Sequence, residues 1–158
     1  MDENVVGLSL ALPLDSDGFL RRECPTCERE FKWLPNPEGQ TAYSVLDGGY
    51  FCPYCGLQAQ NNAWFTSEQA ALARGTVVSE VVSPELMKFR DSINRIGRGS
   101  RGLVRMKAQY REPAKPEPLT EVDDMSRVEF ECHPGEPLKV LEDWPGPVHC
   151  LVCGATAP

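Results

Sequence analysis

The spacing of apolar positions changes period several times along the chain, and each change predicts a different element. "VVGLSLALPL" (5–14) alternates and predicts a strand. "FLRREC" and "EREFKWL" alternate over shorter spans and predict two more. "AYSVL-DGG-YFC" predicts a hairpin with Asp47-Gly48 at its turn. The period then becomes helical. Thr66-Ser67-Glu68-Gln69 forms a capping box, with Phe65 placed for a hydrophobic staple, and a helix follows through Ala70–Arg74. Ser83-Pro84-Glu85 predicts either a fresh helix start or a proline kink in one long helix. Val78, Val82, Leu86, Phe89, Ile93 and Ile96 step along one helical face until Gly97 and Gly99 end the pattern. The stripe is expected to pack on the β-rich part before it. Its spacing from Val82 to Ile96 also suits a homodimer seam.

Alternation returns after Gly102. Val104, Met106, Ala108 and Tyr110 interleave with Arg105, Lys107, Gln109 and Arg111, predicting a strand with one apolar and one basic face. Pro113, Pro116 and Pro118 predict a stiff linker. "SRVEFEC", "PLKVLEDW" and "PVHCLVC" predict three closing strands, with Pro145-Gly146 as a turn.

Composition narrows the class. The 158 residues are 41% hydrophobic and 25% charged, which suits one domain or two small ones. No apolar run approaches the roughly 18 residues of a membrane span, and the acidic start Met1-Asp2-Glu3 does not resemble a secretory signal, so a cytoplasmic protein is expected. The net charge of −7 argues against a general polyanion binder. Nine basic residues from Lys88 to Lys115 face only Asp91 and Glu112, a local +7, which leaves −14 on the rest. Gly97-x-Gly99-x-x-Gly102 matches a dinucleotide fingerprint in form only, because it follows a helix instead of a strand.

Seven cysteines in a chain expected in a reducing compartment argue against a disulfide frame. Cys24, Cys27, Cys52 and Cys55 form C-x2-C-x24-C-x2-C. Each C-x-x-C pair can converge two thiolates, and two such pairs meet the tetrahedral demand of Zn2+. A thioredoxin-like redox pair would need a βαβ setting that is missing here. These knuckles and their strand flanks resemble the zinc-ribbon superfamily over residues 19–60. The resemblance implies that Cys24, Cys27, Cys52 and Cys55 hold one structural zinc. Rubredoxin iron sites share the paired knuckles, but Cys24-Pro-Thr-Cys27-Glu28 lacks the glycine that follows theirs.

Cys150-x-x-Cys153-Gly154 is a further knuckle, and upstream stands Cys132 followed at once by His133. The region 126–156 resembles a second, degenerate ribbon. Its fourth ligand is His133, which balances two ligands per side, or alternatively His149. An open fourth position would let a metal-bound water attack a substrate, with Glu129, Glu131 or Glu136 as base.

The expected fold is α+β: tandem small zinc ribbons of short antiparallel hairpins, joined by a helical segment and a Pro-rich linker. The expected division is 1–97 (ribbon and helix), 98–118 (basic strand and linker) and 119–158 (degenerate ribbon). The expected cofactor is two Zn2+ per chain. The expected function is a non-enzymatic adaptor that binds another protein. The alternative is nucleic-acid binding through 95–111, using Arg98, Arg101, Arg105, Lys107 and Arg111, with Tyr110 near for stacking. A metal-dependent hydrolase at the second site is the remote alternative.

Overall fold

The structure is a computed structural model, and it describes residues 7–35, 48–99 and 105–157. In chain order it contains β1 (Leu20–Glu23), β2 (Glu30–Trp33), β3 (Tyr50–Phe51), β4 (Gln58–Ala59), α1 (Ser67–Val77), α2 (Ser83–Gly99), β5 (Met125–Val128) and β6 (Leu138–Leu141). The fold is α+β. Residues 7–14 form no strand, and 105–124 form none before β5. Alternation there reflects one-sided contact of an extended chain, without a ladder partner. "PVHCLVC" makes only a single bridge, His149 to Thr156, because the knuckle turns its backbone away. Most of the predicted 43–51 hairpin lies outside the described residues; Tyr50–Phe51 pairs with Gln58–Ala59.

Four strands form one antiparallel sheet in the order β1-β2-β6-β5. It consists of two hairpins, β1-β2 and β5-β6, joined where β2 pairs with β6. This pairing unites residues about a hundred positions apart. Neither compact unit is one continuous stretch of the chain. One compact unit holds the described parts of Leu12–Gln69 and Leu119–Pro158, and the other those of Met1–Ala11 and Ala70–Pro118.

The sheet buries an apolar set on one face. Phe31, Leu138 and Val140 are fully buried against Trp64, Tyr54, Phe130, Leu151 and Val152. The Phe31 and Trp64 rings meet edge to face at 5.7 Å. Arg22 lies on this side with its guanidinium over Trp33 at 4.7 Å and Phe65 at 5.0 Å. Phe65 thus covers an arginine and is 45% exposed. Burial lowers the Arg22 pKa to about 10.

The other face carries a row of four cations, one per strand. Arg21 stands opposite Lys32, Lys32 opposite Lys139, and Lys139 opposite Arg127. Like charges directly opposite repel, and Lys32 and Lys139 are buried as well. Carboxylates from two flanking segments answer them. Asp15 Oδ2 accepts from Lys139 at 2.8 Å and from Lys32 at 3.4 Å. Lys139 also reaches Asp17 at 2.6 Å, and Lys32 reaches Glu121 at 3.0 Å and Asp124 at 3.1 Å. Arg21 pairs with Glu30, Glu121 and Asp124, and Arg127 with Glu129 at 2.7 Å. The network ties residues 15–17 and 121–124 onto the sheet.

In the second unit, α1 and α2 run on through a π-helical turn at Val78–Val82, so Pro84 neither starts a new helix nor breaks one. Pro84 cannot donate to the carbonyl four residues back and its ring crowds that carbonyl. Widening the turn to the Ser83 N–H→Val78 O bond accommodates both. The N-terminal capping box forms: Gln69 N–H donates to Thr66 Oγ1 at 3.1 Å, and Thr66 N–H to Gln69 Oε1 at 3.2 Å.

The helical run packs its small polar face. Asn94 exchanges two hydrogen bonds with the Ala108 backbone, at 2.9 and 3.1 Å. Ser83 bonds Tyr110 Oη at 2.8 Å. Gly97 lies under the Met106 carbonyl, too close for a side chain, and Gly75 lies tightly under the Pro116 ring. The extended chain 105–118 therefore follows the face of Gly75, Ser83, Asn94 and Gly97. The apolar stripe points elsewhere: Val78, Val82, Leu86, Phe89 and Ile96 are all exposed, Phe89 at 64%. The expectation that the stripe is packed is corrected, because the polar face has taken the intramolecular contact.

Asp15 generates a pH prediction. Burial alone would raise its pKa, but the Lys139 ammonium and the N–H groups of Phe19 and Asp17 outweigh that and lower it to about 2. In the unfolded chain it protonates near 3.8. Between these values the unfolded state binds more protons, so this stabilisation is full above about pH 4 and is lost towards pH 2. Asp15→Asn is expected to destabilise by about 2 kcal/mol at pH 7. In urea melts the gap between wild type and variant should close below pH 4; a gap that persists at pH 2 would refute the assignment.

Candidate metal centres

Three tight turns of one kind position most of the sulfurs. At Cys24, Cys52 and Cys150 the cysteine N–H donates to the carbonyl five residues on: Arg29, Leu57 and Ala155. Its own carbonyl accepts from the N–H four residues on: Glu28, Gly56 and Gly154. That fourth residue has positive φ each time, 57° at Glu28, 69° at Gly56 and 71° at Gly154. Glycine adopts this conformation freely, whereas Glu28 is strained. The turns aim N–H groups at sulfur: Thr26 and Cys27 N–H donate to Cys24 Sγ, and Tyr54 N–H to Cys52 Sγ, all at 3.4 Å.

The turns assemble two clusters, Cys24/Cys27/Cys52/Cys55 and Cys132/His133/Cys150/Cys153, with ligand atoms within 4.8 Å of one another in each. In the first, Cys24 and Cys55 sulfurs are 3.8 Å apart and those of Cys27 and Cys52 3.7 Å. Tetrahedral arms of about 2.3 Å require an edge of about 3.8 Å. In the second, Cys150 Sγ lies 3.5 Å from His133 Nδ1. Arms of about 2.3 Å to sulfur and 2.05 Å to nitrogen require about 3.5 Å. The Cys132 and Cys153 sulfurs are also 3.5 Å apart. Both clusters fit a tetrahedrally bound metal ion.

The clusters correspond ligand by ligand. Each joins two ligands on a sheet hairpin to two on a knuckle, through the pairs Cys24–Cys55 and Cys27–Cys52 in one and Cys132–Cys153 and His133–Cys150 in the other. His133 stands where Cys27 stands. The Cys132–His133 turn differs from the knuckles, with His133 N–H bonded to Phe130 O and Glu136 N–H to His133 O.

The two later knuckles pack on each other by reciprocal contacts. Phe51 N–H donates to Leu151 O at 2.8 Å, and His149 N–H to Pro53 O at 2.8 Å. The residue before the first cysteine of each knuckle covers the positive-φ glycine of the other, the His149 ring on Gly56 and the Phe51 ring on Gly154. His149 lies outside the ligand cluster; its Nδ1 bonds Gly154 O at 3.1 Å. Its place in the interface between knuckles was not readable from spacing.

Burial raises the thiol pKa of Cys52, and raises that of Cys150 to about 11. At Cys24 and Cys153 burial acts the same way but hydrogen bonds outweigh it, above all those from Cys27 N–H and Ala155 N–H respectively, and lower the pKa. Four thiols this close resist ionising together, and a divalent cation is the charge that removes the conflict. Burial separates the sites: Cys24 and Cys52 are buried in the first, whereas Cys132 and Cys153 are exposed in the second.

Of the residues expected to meet nucleic acid, Arg98, Arg105 and Lys107 line one cleft. Arg111 is exposed and does not line it, and Arg101 lies outside the described residues. Tyr110 is half-buried, with its hydroxyl engaged by Ser83 at 2.8 Å. Among the described residues, no helix is long and apolar enough to cross a membrane. No family model matches the chain, and none of the curated proteins or solved structures compared with it does.

Elemental analysis should find two divalent ions per chain. His133→Ala should weaken or empty the second site, while His149→Ala should leave both ligand sets whole. Equal loss in the two variants would contradict the geometry. Glu28→Gly should raise stability by roughly 0.5–1 kcal/mol by relieving the positive φ, read as a shift in the chelator-free melting midpoint.

Proposed function

We propose that the chain is a non-enzymatic scaffold, stapled by two structural Zn2+ ions, that presents α2 to a protein partner. The sulfur-rich donor sets favour zinc, and four protein ligands at each site leave no open position for a substrate or an activating water. A hydrolase at Cys132/His133/Cys150/Cys153 would need such a position. Free thiols in these numbers fit a reducing compartment, the cytoplasm.

The observation that carries the partner role is the bare stripe Val78-Val82-Leu86-Phe89-Ile93-Ile96. Five of its six side chains are exposed large hydrophobics, while the same helix buries Ser79 and Ser83. An apolar row of this length on a soluble helix marks a recognition face. Its i, i+3, i+7 anchors suit a helix lying in a groove of another protein. A second copy of the chain is the other occupant whose seam the 4-3 spacing fits.

The double variant Leu86→Asp/Phe89→Asp should change folding stability by no more than about 0.5 kcal/mol, since both sites are exposed. It should abolish cross-linking of the native protein to its partner from a photoreactive residue at Ile96, and mass determination of the adduct tells a foreign protein from a second copy. A destabilisation of about 3–5 kcal/mol would show a core stripe instead. Unchanged cross-linking would refute the docking face.

A further inference from the structure

We propose that the cleft between the C-terminal end of α2 and residues 105–107 binds the phosphodiester backbone of a single-stranded nucleic acid. The cleft is an open groove of about 500 Å³, and its described lining is Asn94, Gly97, Arg98, Arg105, Met106 and Lys107. That volume falls in the range of ligand clefts, about 300–1,000 Å³. This site goes beyond the docking role of α2 and does not depend on it.

Convergence of unpaired cations marks the cleft: Arg74, Arg95, Arg111 and Lys115 also lack an ion pair with a described carboxylate, but none of them lines it. In the sheet unit Arg21, Lys32, Arg127 and Lys139 all have carboxylate partners within 3.4 Å. Along α2, Lys88 pairs with Glu85 and Arg90 with Asp91. Arg98, Arg105 and Lys107 form no ion pair with any described carboxylate, although acidic residues outnumber basic ones by 23 to 16. No described carboxylate of the chain therefore satisfies these three cations. Three like charges around one concavity repel one another, and an anion placed between them removes that cost.

The geometry favours a strand of phosphates over an isolated anion. Arg105 and Lys107 are two residues apart on an extended chain, a separation of about 6.6–7 Å, comparable with neighbouring phosphates on an extended strand. Asn94 holds that chain in place through its two bonds to Ala108. Arg98 adds a planar guanidinium from the helix side, suited to paired contacts with phosphate oxygens. Charges more than about 8 Å away are largely screened at physiological salt.

The test is fluorescence anisotropy of labelled 20-mers of deoxythymidine and uridine with the full metal-loaded chain. Three neutralised phosphates on a single strand predict a slope of log affinity against log salt of about −2. Arg98→Ala/Arg105→Ala/Lys107→Ala should weaken binding at least tenfold with metal content and circular dichroism unchanged. Should the triple variant fold poorly, Arg105→Glu alone should give the same loss. Arg105→Lys should retain most of the affinity, and Arg74→Ala, outside the cleft, all of it. Undetectable binding at low salt, a salt slope near zero, tighter binding of duplex than of single strand, or a less than twofold effect of the cleft variants would overturn the proposal.

Discussion

Lys32 and Lys139 meet across the junction of two hairpins and share the carboxylate of Asp15. An unpaired ammonium buried at this depth would cost several kcal/mol. Joining β2 to β6 is therefore tolerable only when residues 15–17 and 121–124 deliver their acids to the same place. The apolar face alone would let the hairpins meet in other registers. The ionic face is consistent with only one, because a slip of one residue would move Lys32 or Lys139 into the cluster around Phe31 and Leu138. In this reading the network contributes more to selecting one arrangement than to net stability.

The same junction relates the two metal centres. Each centre consists of a sheet hairpin and a knuckle, and the knuckles exchange matched hydrogen bonds through Phe51, Leu151, His149 and Pro53. The halves therefore behave as two versions of one design about an approximate dyad. They are not equal. The first half carries C-x-x-C on its hairpin; the second has drawn its hairpin ligands together into Cys132-His133. The connection that carries them, 129–137 between β5 and β6, is longer than 24–29 between β1 and β2, and its second ligand meets Cys150 through the imidazole Nδ1. The second site leaves Cys132 and Cys153 exposed, whereas the first buries Cys24 and Cys52.

How much of this was legible in the sequence depended on distance along the chain. The knuckles were, because C-x-x-C geometry and its hydrogen bonds are local. The capping box at Thr66–Gln69 was, for the same reason. The pairing of β2 with β6 was not, since nothing in "EFKW" or "LKVL" identifies its partner. The cation row was hidden too. Arg21, Lys32, Arg127 and Lys139 occupy polar positions of alternating strands, which read as solvent-facing until a second layer is known. His133 was readable as the fourth ligand only through the balance of two ligands per side, whereas the place of His149 between the knuckles followed from neither spacing nor composition.

The helical unit shows that patterning predicts which faces exclude water without saying where they do it. A stripe at helical spacing is ordinarily the inner face. Here the inner contact is made by Gly75, Ser83, Asn94 and Gly97, which let the chain 105–118 approach the helix closely and satisfy its backbone at Ala108. An extended segment has unpaired N–H and C=O groups along its length, and a polar or glycine-rich helix face serves it better than an apolar one. Once that face is committed, the apolar stripe cannot also turn inwards, because its residues lie on another side of the same rigid cylinder. The exposed stripe is thus the geometric consequence of how the extended chain is anchored, and the unpaired cations of the cleft follow from the same anchorage, which places Arg105 and Lys107 beside the end of α2.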